Sequence, residues 1–213
     1  MIYVVGDSRK RFLPLDSIRT KFLVDEKHDG DSIDAFNPTF CELTGLYYMW
    51  KHDTGDIVGL EHYRRYLSID GRNPVGEADI RRLLEKGDLL CSTVNYGTKS
   101  VGSFFMGMRM ADWLFKYFAF LEVTEGKDFA NFCHRYIDGN RHILGNIFIA
   151  RRELLDKYAS YLFKNMLTFQ MAEMANHRVI RKRVMGYIAE FLFGAYLDYH
   201  KLRKIETGIC WSK

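Results

Sequence analysis

Residues Gly55–Leu67 read GDIVGLEHYRRYL, and how this stretch ends decides the fold. Ile57, Val58 and Leu60 suit a central strand. Glu61, His62, Tyr63, Arg64 and Arg65 follow with no turn residue among them, which predicts one strand over 56–65. Strands of open α/β sheets carry ligand-binding groups at their C-terminal ends. His62, Arg64 and Arg65 at such an end point to an anionic ligand. Strand alternation would put His62 and Arg64 on one face, with Tyr63 and Arg65 on the other, unless the strand has already ended. The plainer reading is a salt-bridged strand end, its cations paired with Glu42 or Glu61.

Working outward, residues 37–51, NPTFCELTGLYYMWK, read as one helix. Asn37 is its N-cap, Pro38 its first residue, and Leu43, Leu46, Tyr47 and Trp50 its apolar stripe. Ile2–Val5 reads as a first strand running into Gly6, Asp7 and Ser8, a small polar turn of the kind that meets nucleotides, although GxGxxG is absent. A helix is expected over 77–86 with Gly87 as its stop, then a buried strand over 88–94. Aromatic-rich helical patterns cover 103–121 and 128–136. A strand at 147–150 leads into a helix bearing Leu154, Leu155, Tyr158, Leu162 and Phe163. Residues 177–202 read as one long helix or two. The order predicts an α/β fold with a short, mainly parallel sheet and a helix-rich C-terminal half.

The 213 residues are 47% hydrophobic and 27% charged with a net charge of +4, as in ordinary globular chains, and too mildly basic to indicate a nucleic-acid binder. The four cysteines lack metal-binding spacing and read as free thiols in a reducing cytoplasm. No apolar run reaches the roughly 20 residues of a membrane span, and the N-terminus does not read as a signal peptide. A cytoplasmic location is expected.

Four blocks together resemble a family. FNPTFCELTGLYYMWKH followed by DIVGLEHYRRYL resembles the paired signature of a bacterial glycosyltransferase family long catalogued as a domain of unknown function in capsule and exopolysaccharide loci. LGNIFIARRELLDKYASYLF and RVMGYIAEFLFGAYL are similar to its third and fourth blocks, in the family's order. The resemblance implies a GT-A-like nucleotide-sugar fold. It implies one glycosyltransferase domain over 1–213, with 1–100 as the nucleotide-sugar-binding half and 101–213 as the acceptor side. It implies hexosyl transfer (galactose or galactofuranose class) from a UDP-sugar to a glycan hydroxyl in surface polysaccharide synthesis. One departure is that Phe191 follows Glu190 where the family usually has Arg.

Sugar transfer leaves negative charge on the departing diphosphate, and many GT-A enzymes neutralise it with a divalent ion. Here His62, Arg64 and Arg65 are expected to take over much of that task, because guanidinium groups meet phosphate oxygens bidentately. Arg64 is the foremost of these. Mn²⁺ or Mg²⁺ remains an alternative, held by Asp29 and Asp31 of a hydrophilic turn. Asp7, Glu42, Tyr63, Asn146 and Arg183 complete the expected donor-binding set. Asn146 is equally readable as a turn residue, and Glu42 as a partner that fixes one of the cations. Glu190, in an apolar setting that raises a carboxylate's pKa, is the first candidate for the base that deprotonates the acceptor, and Asp112 the second. Glu190 could instead bridge to Arg183 or Arg151. The basic run over 177–183 reads as a solvated face, as a contact with a lipid-linked acceptor at the inner membrane surface, or as a nucleic-acid contact. Rival functions are a phage-type glycosyltransferase acting on a modified nucleic-acid base and a catalytically silent sugar-nucleotide-binding module.

Overall fold

The computed structural model describes residues 1–108 and 110–212. Among these, β1 (Ile2–Gly6), β2 (Arg19–Leu23), α1 (Asn37–Phe40), α2 (Leu43–His52), β3 (Ile57–His62) and β4 (Arg65–Ser68) form the first part. They are followed by α3 (Glu77–Leu84), β5 (Leu89–Asn95), α4 (Val101–Gly107), α5 (Ala111–Thr124), α6 (Lys127–Asp138) and β6 (Arg141–Arg151). The chain continues through α7 (Arg152–Ala175), α8 (Val184–Tyr199), β7 (Lys204–Glu206) and β8 (Gly208–Trp211). Arg109, inside the helix expected over 103–121, lies outside the described residues; around it the chain forms α4 and α5.

The main sheet runs β2-β1-β3-β6-β5-β7. β1 is parallel to β2 and β3, β5 is parallel to β7, and β6 opposes both β3 and β5. Five strands therefore point one way and β6 the other, which is the mainly parallel sheet expected. Alternation sorts the apolar side chains between two faces. Val5, Phe22, Val58, Leu60 and Phe148 face α2 and the later helices in one large core, while Ile2, Leu67, Ile80, Leu90 and Ile149 form a smaller one beneath α3. Helix α2 lies close on β1 and β2 because Gly45 has no side chain: a Cβ there would come within 2.8 Å of Val5 Cγ2.

Three expectations are corrected. The single helix over 37–51 is broken at Cys41, whose φ of 52° is left-handed. Its N-cap position falls on Phe36 rather than Asn37. The strand expected to run on to Arg65 stops at His62, and the chain reverses at Tyr63–Arg64, so that His62 pairs with Arg65. The reversal lacks turn residues and is held by backbone partners distant in sequence: Tyr63 N–H donates to Val5 O (2.9 Å), and β8 pairs along the whole of β4. The basic run is not helical, since α8 begins only at Val184. β2, β7 and β8 were not legible in the sequence: polar residues such as Thr20 and Lys21 of β2, with Lys204 and Glu206 of β7, fill most of the first two, and β8 is an apolar run of only four residues, Gly208–Trp211.

Candidate active site

At the C-terminal end of β3 a small pocket of about 30 Å³ is lined by Glu42, Leu60, Glu61, His62, Arg65, Gly145, Asn146, Ile147, Arg183 and Glu190. Each side chain arrives from a different local device. The break at Cys41 turns the chain so that Glu42, just before α2, reaches inward. The reversal after His62 lays Arg65 beside it on the same face. Gly145, at φ 66°, lets β6 bend so that Asn146 points in; a Cβ there would lie 3.6 Å from Arg65 Nη1. Arg183, the residue before α8, is itself left-handed (φ 66°), and its N–H donates to Pro38 O at 2.8 Å, tying α8 to the α1 corner. Backbone strain of this kind in non-glycine residues costs about 1–3 kcal/mol and gathers at functional sites. Both Cys41 and Arg183 carry it here.

The polar groups of the pocket are incompletely paired. Asn146 Nδ2 donates to Glu42 Oε1 (2.9 Å) and to Gly186 O (3.3 Å). Asn146 Oδ1, His62 Nδ1 and Arg65 Nε are buried with no hydrogen-bond partner. Leaving buried polar groups unmet costs about 1–3 kcal/mol each, and three of them belong to side chains that line one hollow of about 30 Å³. The volume suits a water or a hydroxyl group, not a nucleotide.

Charge states follow from the surroundings. Burial pushes Glu190 up to about 8, Glu42's negative charge adds to the effect, and Arg65 and Arg183 oppose it. At neutral pH Glu190 holds a proton. Burial takes His62 down to about 3, reinforced by Arg65, Arg64, Arg183 and Lys10, so its imidazole is neutral. Cys41, beside Arg183, is pushed up to about 12 by burial and by Glu42, and is an unreactive thiol.

The structure thus brings together Glu42, His62, Arg65, Asn146, Arg183 and Glu190. Tyr63, Arg64 and Asp7 lie outside the pocket's lining. Arg64 is exposed at the tip of the reversal, its guanidinium carbon 5.7 Å from the Tyr63 ring, with Lys10 Nζ at the same 5.7 Å from that ring. Asp7 accepts from Arg9 Nε at 3.0 Å. Asp112 is exposed in the first turn of α5 and does not line the pocket. Asp29 and Asp31 are exposed in the loop before α1; Asp31 accepts from the Tyr47 hydroxyl at 2.8 Å and lies 3.6 Å from Lys51 Nζ. Among the described residues no group of three or more His, Cys, Asp or Glu side chains is arranged to hold a metal. Phe191 is wholly buried against Phe105, Phe118 and Tyr136.

The sequence reading missed Arg19, which pairs with Glu61 on the other face of β3 (Nε to Oε2, 2.7 Å). The one available signal was an arginine in a polar strand with a carboxylate left over at Glu61. It also missed a wider hollow of about 890 Å³ beside β2, lined by Arg11, Phe12, Lys21 and Trp211 among others. That hollow is larger and, among the described residues, no Asp or Glu lines it, whereas Glu42, Glu61 and Glu190 line the smaller pocket.

Residues 4–201 match a family described as a domain of unknown function, DUF4422. Among solved structures, the apo structure of the bifunctional glycosyltransferase WbbM superposes with a TM-score of 0.79 at 22% sequence identity, covering 100% of this chain. This chain spans 45% of that one. No curated protein matches the sequence.

Proposed function

This chain belongs to the DUF4422 family, and we propose that it is a GT-A-like glycosyltransferase that moves a hexosyl unit of the galactose or galactofuranose class from a UDP-sugar to a hydroxyl of a glycan acceptor in surface polysaccharide synthesis. The observation that carries this reading is the pairing of a half-buried, protonatable Glu190 with two arginines and three unpartnered polar atoms at a strand's C-terminal end. The fold shared with a glycosyltransferase structure supports it.

The pocket is the reacting corner, and the nucleotide lies along its rim, between the Gly6–Lys10 loop and the β3–β4 reversal. Arg65 from inside the pocket and Arg64 from the tip of the reversal meet the diphosphate. Preorganised positive charge at a leaving group is a leading catalytic contribution. Neutral His62, with Nδ1 unpartnered, donates an N–H to the same oxygens without adding charge. Arg183 supports the far side. Asn146 Oδ1 accepts from a sugar hydroxyl. Glu190, once deprotonated, takes the proton of the acceptor hydroxyl, and Glu42, fixed by Asn146, tunes when it does so. Asp112 is the reserve candidate for that base, approaching only with a bound acceptor.

Because Arg64 and Arg65 stand where a metal would otherwise meet the diphosphate, turnover is expected to survive EDTA. Loss of turnover restored by Mn²⁺ would move the metal role to Asp29 and Asp31. The direct test is calorimetry with UDP and a panel of UDP-sugars, followed by transfer assays with the donor that binds. A folded sample that binds no UDP at millimolar concentration rejects the reading.

A further inference from the structure

We propose that the edge formed by the C-terminal end of α7 and the segment 176–182 docks on an anionic phospholipid surface. Three apolar side chains stand in solvent there without cover: Met171 is 53% exposed, Met174 48% and Val179 92%. Met171 and Met174 are three residues apart on α7 and share a face. Exposing a valine almost fully gains nothing for a chain in water. Ile180, next to it, is packed into the core and fixes the segment against the body of the protein.

Basic groups surround these apolar ones. Over residues 171–183 the sequence holds one acid, Glu173, against Arg178, Arg181, Lys182 and Arg183, all four exposed. Glu173 is buried and already engaged, its Oε1 accepting from Arg178 Nη1 at 2.8 Å and its Oε2 lying 3.8 Å from Lys116 Nζ. The Lys116 contact also shows that the N-terminal part of α5 lies against this end of α7, as Trp113 does against Phe169. Met106, 59% exposed in α4, stands in the stretch leading to that end of α5. Exposed apolar side chains followed directly by a run of cations, with the one local acid already paired, match the interface of a bilayer that carries negative headgroups. A protein partner of ordinary composition would not call for that excess of one sign.

The placement fits the reaction. The same segment ends in Arg183, which lines the pocket and is tied to Pro38 O. A bilayer held at 171–182 therefore lies within a few residues of the reacting corner, where a lipid-linked glycan presents its hydroxyl. That last step rests on the proposed function; the docking itself does not.

Co-sedimentation of the whole chain with vesicles separates the two. Vesicles of phosphatidylcholine with 30% phosphatidylglycerol are expected to bind the protein, and pure phosphatidylcholine vesicles to leave it in the supernatant. Raising the salt to 0.5 M should release it. Lys182→Gln is expected to weaken the partition about fivefold, the effect of one basic residue near an anionic surface. Val179→Asp should weaken it further while the melting temperature stays unchanged. Equal binding to both vesicle types, or full binding by Val179→Asp, overturns the proposal. So does self-association without vesicles that Val179→Asp abolishes, since the patch would then be a contact between copies of this chain. Membrane binding by a protein that fails to bind UDP would sink the enzymatic reading and leave the docking face standing.

Discussion

Consecutive residues of β3 carry the two kinds of charged cluster a protein can build. Glu61 faces the α3 side and His62 the helix-rich side, and the chemistry around them diverges completely. Glu61 accepts from Arg19 Nε at 2.7 Å and from Leu67 N–H at 2.9 Å, while Arg19 also reaches Asp16 Oδ2 at 2.6 Å and Val75 O at 3.0 Å. That cluster is closed. Around His62 the arginine, the amide and the imidazole each keep a buried atom unpartnered, and Glu190 keeps its proton. The second cluster is open: three of its polar atoms have no hydrogen-bond partner among the described residues.

The largest effect expected breaks the closed cluster. Glu61→Gln leaves Arg19 as a buried cation short of its main partner, which costs about 3–5 kcal/mol of stability. Urea unfolding followed by fluorescence measures it. The double variant Arg19→Met with Glu61→Leu should recover most of the loss, because two apolar side chains replace two desolvated charges. Because Glu61 also borders the pocket, folded protein carrying either change should lose far less rate than the variants of the open cluster do. If Glu61→Gln instead left stability untouched and abolished turnover, the two faces would have been assigned the wrong way round.

The open cluster should respond in rate rather than in stability. Glu190→Gln is expected to lower turnover by about 10²–10⁴, the range for a lost general base. Arg65→Ala should lose about 3 kcal/mol of transition-state stabilisation, comparable to one lost oxyanion donor. Arg65→Lys should restore donor binding better than rate, since an ammonium cannot bridge two phosphate oxygens. Arg64→Ala sharpens the comparison, because Arg64 is exposed at the tip of the reversal. A loss matching that of Arg65→Ala would give both guanidinium groups the diphosphate, and an unchanged rate would assign it to Arg65 alone.

How much of this was legible beforehand follows from the range of each interaction. The apolar runs of β1, β3, β5 and β6 announce themselves locally, and so the sheet direction and the helix-rich second half could be read. Glu42, His62, Asn146, Arg183 and Glu190 could be singled out because each is a polar exception in an apolar run or in a block resembling a family. The reversal at Tyr63–Arg64 could not, since its stabilising partners are Val5 and the residues of β8, far away in the chain. That error transferred the expected face of His62 from Arg65 to Arg64. The break at Cys41 was hidden for a related reason: cysteine has no preference for left-handed backbone, and the contacts that impose it come from α8 and Arg183. Arg19 was invisible because a lone arginine names no partner 42 residues away.

The pH dependence comes next in size. With Glu190 as base, turnover should climb through about pH 8 as its proton leaves. Glu42→Gln removes the neighbouring negative charge and should move that midpoint to lower pH. Stability runs the opposite way. Glu190's folded value lies above the 4.5 of the unfolded chain, so between about 4.5 and 8 the native state keeps a proton that the unfolded state releases. Native stability from this group therefore falls as pH rises through that window. Glu190→Gln, which has no proton to lose, should gain stability relative to the parent between pH 5 and pH 8. A constant difference in melting temperature across that range would show that Glu190 is ionised in the native protein, and the assignment of the base would fail with it.

The smallest effect expected concerns Gly145, where the open cluster depends on backbone shape alone. Its φ of 66° lies in the left-handed region, which costs a side-chain-bearing residue about 1–2 kcal/mol. The space around it is not the obstacle, because a Cβ would meet Arg65 Nη1 and Ile147 Cγ1 at 3.6 Å, ordinary contact distance. Gly145→Ala should therefore destabilise by about 1 kcal/mol through strain and not through a clash. Gly145→Asn should cost less, since asparagine tolerates this conformation. If strain is the whole story, both variants keep their rate and differ only in unfolding midpoint. If the glycine also serves a bound sugar that approaches the backbone closely, both lose donor affinity, with asparagine the worse for its bulk despite being the more stable. Opposite rankings in stability and in affinity would mark Gly145 as part of the binding surface; matching rankings would leave it as the hinge that aims Asn146.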